Sequence, residues 1–214
     1  DYKKKGQIYE TSIEEGMKKI AIDLEEDQHG TYFFNSYDLN LLGHIDKLVE
    51  AGIDSLKIEG RAKSVYYVAV VVRAYRKVLD AIEMRLPKQK IDKIIKEQKI
   101  ELNKLENRGY TEGFLFGGEP AHNVSGKKSK NAVKFVGEVK GVEGKLNIVR
   151  VHNEIFMKDK LEAIDPEKTI SLKIRKIYND KIKEVKEAHG GHAKRYFFEY
   201  DKILKEKSLL RKAV

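Results

Sequence analysis

Near Lys130 the spacing of apolar residues changes, and with it the kind of structure the chain can build. Before that point apolar residues recur three and four apart over long stretches, as amphipathic helices require. After it they alternate with polar residues in short runs broken by turns, as half-buried strands require. The 214 residues therefore divide into an α/β part at 1–116, a linker at 117–131 and an all-β part at 132–214.

Residues 1–30 carry little pattern and read as an irregular lead-in with one short strand at 19–24. Thr31-Tyr32-Phe33-Phe34 is apolar and β-prone, a buried strand. In the following Asn35-Ser36-Tyr37-Asp38, Ser36 or Asp38 can cap a helix over 39–51, which Gly52 closes. Asp54-Ser55-Leu56-Lys57-Ile58-Glu59 alternates as a strand and ends at Gly60. Ser64 then caps a long helix to about residue 84. Val68, Val72, Tyr75 and Leu79 share one of its faces despite the β-branched run at its start. Pro87 separates it from a charged helix over 88–107. Strands alternating with helices across short connections imply βαβ units and a parallel sheet. A complete (β/α) barrel takes about 250 residues, so residues 1–116 hold the second half of one or a small open sheet.

In the last part, alternating runs at 133–139, 145–151, 160–164, 170–177, 182–187 and 195–200 have no helix between them. Leu209-Leu210-Arg211 can return as a closing strand, which suggests a small closed β-barrel. Its outward positions include Lys134, Lys140, Arg150, Lys173, Arg175 and Lys186. The charge is uneven. Residues 1–120 hold 20 Lys and Arg against 21 Asp and Glu, and residues 121–214 hold 23 against 13. All of the net +9 thus belongs to the second stretch, an electrostatic footprint suited to a polyanion such as RNA. Lysine-rich surfaces also occur without such a partner, so charge alone leaves both readings open.

There is no cysteine. That excludes a disulfide framework, a thiolate-held cofactor and a cysteine nucleophile within these residues, and it points towards the cytoplasm. No apolar run approaches the roughly 20 residues that cross a bilayer.

Glu59, Arg61 and Lys63 crowd the point where a strand hands over to a helix, the edge at which α/β proteins bind ligands. They form either a catalytic site or an ion pair that only holds the loop. Arg108 and Tyr110, a guanidinium and an aromatic in a Gly-flanked loop, can grip an unstacked nucleotide; alternatively Arg108 pairs with a carboxylate such as Glu112. Tyr66 and Tyr67 can stack on a base, but at least one belongs to the core face of its helix. Lys127, Lys128 and Lys130 lie in a polar, basic stretch and join Arg150, Lys173 and Arg175 as candidate RNA contacts. His189-Gly190-Gly191-His192 supplies half a metal site at most and reads as a Gly-rich turn. A serine nucleophile at Ser36 or Ser64 lacks any recognisable histidine partner.

Three blocks resemble peptidase family U32. They are Gly30-Thr31-Tyr32-Phe33-Phe34-Asn35-Ser36 with Asp38-Leu39, Leu48 through Arg61 running into Lys63-Ser64, and Asn107-Arg108-Gly109-Tyr110-Thr111-Glu112-Gly113-Phe114. Phe135-Val136-Gly137-Glu138-Val139 fits the opening of that family's β domain. The resemblance implies a barrel enzyme with an appended small β-barrel, and it adds Asn35, Ser36 and Asp38 to the candidate catalytic residues. Members include collagenase-like proteases, which are hydrolases, and proteins that hydroxylate RNA bases or ubiquinone precursors without oxygen. The Arg-Gly-Tyr-Thr-Glu-Gly-Phe block is most similar to the branch that hydroxylates the wobble uridine of tRNA with prephenate as co-substrate. Relatives hold an iron–sulfur cluster on upstream cysteines, and many have a cysteine where Asn40 stands here. The resemblance therefore implies the C-terminal portion of a longer protein, inactive by itself. Its expected partner is tRNA or, alternatively, a collagen-like protein; no membrane partner is expected, and oligomeric state stays open.

Overall fold

In a computed structural model, the described residues are 8–15, 18–27, 30–33, 37–117, 129, 132–191 and 195–214. They belong to two compact units. One combines Asp1–Ser55 with Glu106–Lys130, the other Leu56–Leu105 with Asn131–Val214.

In the first unit, β1 (Ile8–Glu15), β2 (Lys18–Asp27) and β3 (Gly30–Phe33) form an antiparallel meander. The irregular lead-in expected over 1–30 is therefore mostly strand, and Thr31–Phe33 belongs to an antiparallel sheet rather than a parallel one. Antiparallel neighbours need only a tight connection, whereas parallel ones need a crossover of a dozen or more residues. The parallel pairing that does occur is short. β4 (Asp38–Leu39) runs beside β5 (Tyr110–Thr111), with the Asp38 N–H donating to the Gly109 carbonyl at 2.8 Å. A 3₁₀ turn at Leu42–His44 leads into α1 (Ile45–Glu50), which buries Leu42 and Ile45. Asp38 does not cap this segment, where the Leu42 N–H donates to Asn40 Oδ1 at 3.0 Å, and the other expected cap, Ser36, lies outside the described residues. The first helical turn starts after Leu41, beyond the reach of Asp38.

Where the second unit begins, residues 54–59 are not a strand. Their alternation is real, but no strand among the described residues runs beside them. An extended segment without a partner leaves its backbone groups to water. Ser64 does cap α2 (Val65–Glu83), its hydroxyl accepting from the Tyr67 N–H at 3.2 Å. The buried face is Tyr66, Val70, Ala74, Val78 and Ala81, not the expected Val68, Val72, Tyr75 and Leu79. The two alanines let neighbouring elements approach, so the closest packing falls away from the bulkiest stripe of the helix. After Pro87, α3 (Lys88–Asn103) buries Ile91, Ile95, Gln98 and Leu102.

The barrel follows. β6 (Val133–Glu143), β7 (Leu146–Val151), β9 (Lys160–Ile164), β10 (Thr169–Tyr178), β13 (Arg195–Tyr200) and β14 (Leu209–Ala213) close in the order β10-β13-β7-β6-β14-β9, and β9 pairs back to β10. β8 (Ile155–Phe156) and β12 (Glu187–Ala188) form a side pair, and β11 (Glu184–Val185) adds to the end of β10. Alternate residues of each strand fill the interior, among them Val136, Val149, Leu161, Ile174, Phe198 and Leu210. Closure leaves no long unpaired edge and buries one face of every strand, which drives the fold.

The helix pair docks on this barrel. Tyr66 stacks on Phe135 of β6 with ring centroids 5.3 Å apart. Arg211 of β14, wholly buried, donates through Nε to Glu162 of β9 at 2.7 Å and through Nη1 to the Tyr66 hydroxyl at 3.2 Å. Its Nη1 also lies 2.8 Å from the Glu101 carboxylate of α3. Arg73 Nη1 donates to Thr169 Oγ1 at the start of β10. The helices thus cover the β6 start, β14 and β9.

Candidate functional site

Glu59, Arg61 and Lys63 occupy the turn that leads into α2. Gly60 is required there, because a Cβ would meet the Val68 side chain at 2.9 Å. Arg61 Nε lies 3.0 Å from Glu59 Oε1 and Lys57 Nζ 3.7 Å from Glu59 Oε2. The Lys63 ammonium sits over the Tyr67 ring, 4.8 Å from its centroid. The Glu59 and Arg61 side chains are 56% and 87% exposed. An ion pair this exposed adds little stability, so the Glu59–Arg61 pair contributes little to the local fold.

In the first unit, Arg108 donates through Nε and Nη2 to Asp38 Oδ1 at 3.0 and 2.8 Å, and its backbone N–H donates to Asp38 Oδ2 at 3.1 Å. Both carboxylate oxygens of Asp38 are engaged, and the pair ties β4 to the loop before β5. Arg108 is thus paired with a carboxylate, that of Asp38 rather than the expected Glu112. Gly109 has φ +90°, and a Cβ would lie 2.7 Å from the Tyr37 ring, so no other residue fits between Arg108 and Tyr110 without strain. Tyr110 is half-buried in β5.

Glu112 instead meets His44, Nε2 to Oε1 at 2.6 Å. The Phe116 ring lies 4.4 Å from the imidazole, and Lys47 Nζ sits 4.9 Å above that ring. A carboxylate that orients an imidazole under an aromatic ring can hold a proton at a defined atom. Sequence reasoning did not find His44. Its partner is 68 residues away, and no local spacing announces the pair. Asn35, Ser36, Lys127, Lys128 and Lys130 lie outside the described residues. Ser129, between those lysines, is held by Asn107, whose N–H donates to its hydroxyl at 3.0 Å.

On the barrel, the expected basic face is divided. Lys134 pairs with Glu154 at 2.8 Å and Lys140 with Glu138 at 2.6 Å. Arg150, Lys173 and Arg175 are exposed and have no carboxylate partner among the described residues, and Arg195, absent from the candidates, joins them. Burial pushes the His152 imidazole down, and the neighbouring charges of Arg150 and Lys140 push it further. A depression of about 680 Å³ beside Arg195 carries Asp180, Glu184 and Glu187 as well as Lys186 and His189, so its charge is mixed. The Gly-rich turn is present: Gly191 has φ +102°, and Gly190 passes so close to His152 that a Cβ would lie 2.1 Å from its carbonyl oxygen. His189 Nε2 pairs with Glu187 at 3.0 Å.

An amphipathic helix pair docked on a closed six-stranded barrel defines a helical part joined to an all-β domain, and that barrel carries Arg150, Lys173, Arg175 and Arg195 as exposed cations without carboxylate partners among the described residues. Residues 2–125 match the model of Peptidase family U32 and residues 131–211 that of the Peptidase family U32 C-terminal domain. The chain belongs to peptidase family U32. It is 39% identical over 173 residues to tRNA hydroxylation protein P of Haemophilus influenzae, covering 78% of this chain and 36% of that protein. It is 31% identical over 118 residues to the Collagenase of Porphyromonas gingivalis, covering 54% of this chain and 28% of that one. The solved C-terminal domain of a Geobacillus thermoleovorans U32 peptidase is similar at 23% identity, with a TM-score of 0.34, over 37% of this chain and 99% of that domain. The chain thus spans about a third of the length of the curated relatives it matches. Among the described residues no helix is long and apolar enough to cross a membrane.

Proposed function

We propose that this chain is the C-terminal part of a tRNA-hydroxylating U32 protein acting on the wobble uridine in the cytoplasm, with its β-barrel holding the RNA. One observation carries the reading: identity to tRNA hydroxylation protein P runs at 39% across 78% of the chain, against 31% across 54% for the collagenase. The exposed Arg150, Lys173 and Arg175 support an RNA-holding barrel, because phosphates are the natural counter-charge for cations without carboxylates.

In this reading residues 1–116 complete a (β/α) barrel with the length of the relatives that this chain does not span. Residues 54–59 become a strand there, once a neighbouring strand satisfies their backbone. Glu59, Arg61 and Lys63 then stand at the carboxyl end of that strand. Arg61 binds a substrate carboxylate such as that of prephenate through a bidentate pair, and Glu59 accepts or positions a proton. Asp38, locked by Arg108, holds the loop before Tyr110. An iron–sulfur cluster finds no thiolate here, since the chain has no cysteine; if one serves the reaction, its redox chemistry is supplied from cysteines outside these residues.

The test is nucleoside analysis of tRNA by mass spectrometry in a deletion strain complemented with the full-length protein. Restored 5-hydroxyuridine supports the reading; unmodified tRNA beside normal protein levels overturns it. The collagenase identity favours a second reading, a peptidase acting on collagen-like chains. It predicts gelatin cleavage by the purified full-length protein, abolished by Glu59→Ala.

A further inference from the structure

The two helices dock on one side of the barrel and leave another side open. They reach Phe135 of β6, Arg211 of β14 and Thr169 at the start of β10, and through Arg211 they join Glu162 of β9. The outward residues of β13 and β7 are half-buried or exposed. Strand register arranges these residues in rows. Tyr178 of β10 lies opposite Phe197 of β13, which lies opposite Ile148 of β7. The residue next to each along its own strand, Ile177, Phe198 and Val149 in turn, is wholly buried in the core. Tyr178, Phe197 and Ile148 therefore share the outer face and form a half-buried apolar row. Beyond Ile148 the row ends at Gly141 of β6, where the register shifts; a Cβ added there would lie 3.7 Å from Ile148.

The next row begins with Arg195 directly opposite Arg150. Both are exposed, and neither has a carboxylate partner among the described residues. Glu138, the next residue across from Arg150, is held by Lys140 instead. Like charges directly opposite on a sheet destabilise it. A sequence selected for stability alone would place a carboxylate at one of the two positions. Two guanidinium groups beside a row of aromatic and aliphatic side chains match a particular ligand: a strand whose flat apolar bases and anionic phosphates alternate.

We propose that the open face of β10, β13 and β7 takes single-stranded RNA, with bases stacking on Phe197 and Tyr178 and successive phosphates held by Arg195 and Arg150. The inference rests on the reading of the barrel as the RNA-holding part and states which face does the holding. It shifts the binding surface towards β13, which carries none of the residues singled out from sequence. Selectivity for a nucleotide sequence is not expected, because every base has a face to stack.

The experiment is fluorescence anisotropy of a labelled single-stranded oligouridine titrated with this 214-residue chain at several salt concentrations. Arg150→Ala with Arg195→Ala is expected to weaken binding and to lower the salt slope by roughly 1.4, about 0.7 for each phosphate left without its arginine. Phe197→Leu keeps an apolar side chain but removes the aromatic face, and is expected to weaken binding roughly tenfold. Circular dichroism and thermal melting check that each variant is folded. Lys96→Ala with Lys99→Ala on α3 removes the same charge from exposed positions of the docked helix, and is expected to leave binding unchanged. An equal weakening in that control overturns the inference, since net charge alone then explains affinity. Unchanged binding in both the arginine and Phe197 variants overturns it while the barrel stays the RNA-holding part on some other face. Displacement of the oligonucleotide by gelatin at equal mass concentration also overturns it, in favour of a protein ligand. No binding by the parent chain overturns it outright; the nucleoside assay on the full-length protein then reports separately on tRNA hydroxylation.

Discussion

Arg211 on the last strand of the barrel and Glu101 on the second of the two docked helices meet at 2.8 Å, the arginine wholly buried. Burial alone would lower the affinity of that guanidinium for its proton, but its bonds to Glu101 and Tyr66 raise it overall. Arg211→Ala leaves Glu101 and Glu162 facing each other with their shared cation gone. Breaking a buried pair from one side costs about 3 kcal/mol or more, and the expected result is a lower urea midpoint. Arg211→Met fills the volume and is expected to recover part of the loss only when Glu101→Gln accompanies it.

Burial raises the Glu101 carboxyl, yet hydrogen bonds from Arg211 and Lys104 outweigh it and leave it below the ordinary glutamate range. A group depressed in the folded state stabilises above its unfolded pKa and loses that contribution as pH falls through the folded one. The wild-type chain is therefore expected to lose stability as pH drops below the usual glutamate range. Glu101→Gln is expected to show a shallower decline over the same interval in melts recorded from neutral to acid pH.

Gly190 and Gly144 separate two reasons for a glycine. A Cβ at residue 190 would lie 2.1 Å from the His152 carbonyl oxygen, a backbone atom that cannot swing away. Gly144 has φ +58° with nothing within 4 Å of a Cβ. Gly190→Ala is expected to cost about 3 kcal/mol and Gly144→Ala about 1 kcal/mol, both read from urea unfolding.

Glu59 and Arg61 pair in the open, at 3.0 Å with more than half of each side chain exposed. Alanine at either is expected to leave the melting temperature of this chain unchanged and to abolish 5-hydroxyuridine in tRNA when carried by the full-length protein. Full activity in both variants sinks their proposed catalytic role.

The barrel was legible because its signal is local. Leu161 and Ala163, Leu172 and Ile174, Tyr196 and Phe198 alternate with outward residues, and all six are buried. The long helix was legible for the same reason, Ser64 announcing its start. Alternation at Leu56 and Ile58 misled, because a strand is a pairing and nothing among the described residues pairs with 54–59. The candidate site was less legible. If Arg108 paired with a carboxylate, Glu112 was the expected one, but its partner is Asp38, 70 residues away, and Glu112 binds His44.

By itself the sequence determined what hydrophobic period and backbone preference dictate: a helix-rich stretch, a break, and a run of strands that had to curl round a common core. Which cations would be consumed by carboxylates, and which would face solvent, only the tertiary structure decided. Arg211 and Arg195 are both arginines on barrel strands, yet one is locked beneath a helix pair and the other lies beside Arg150 on the uncovered side. That difference arises between residues far apart in the chain, and no local spacing encodes it.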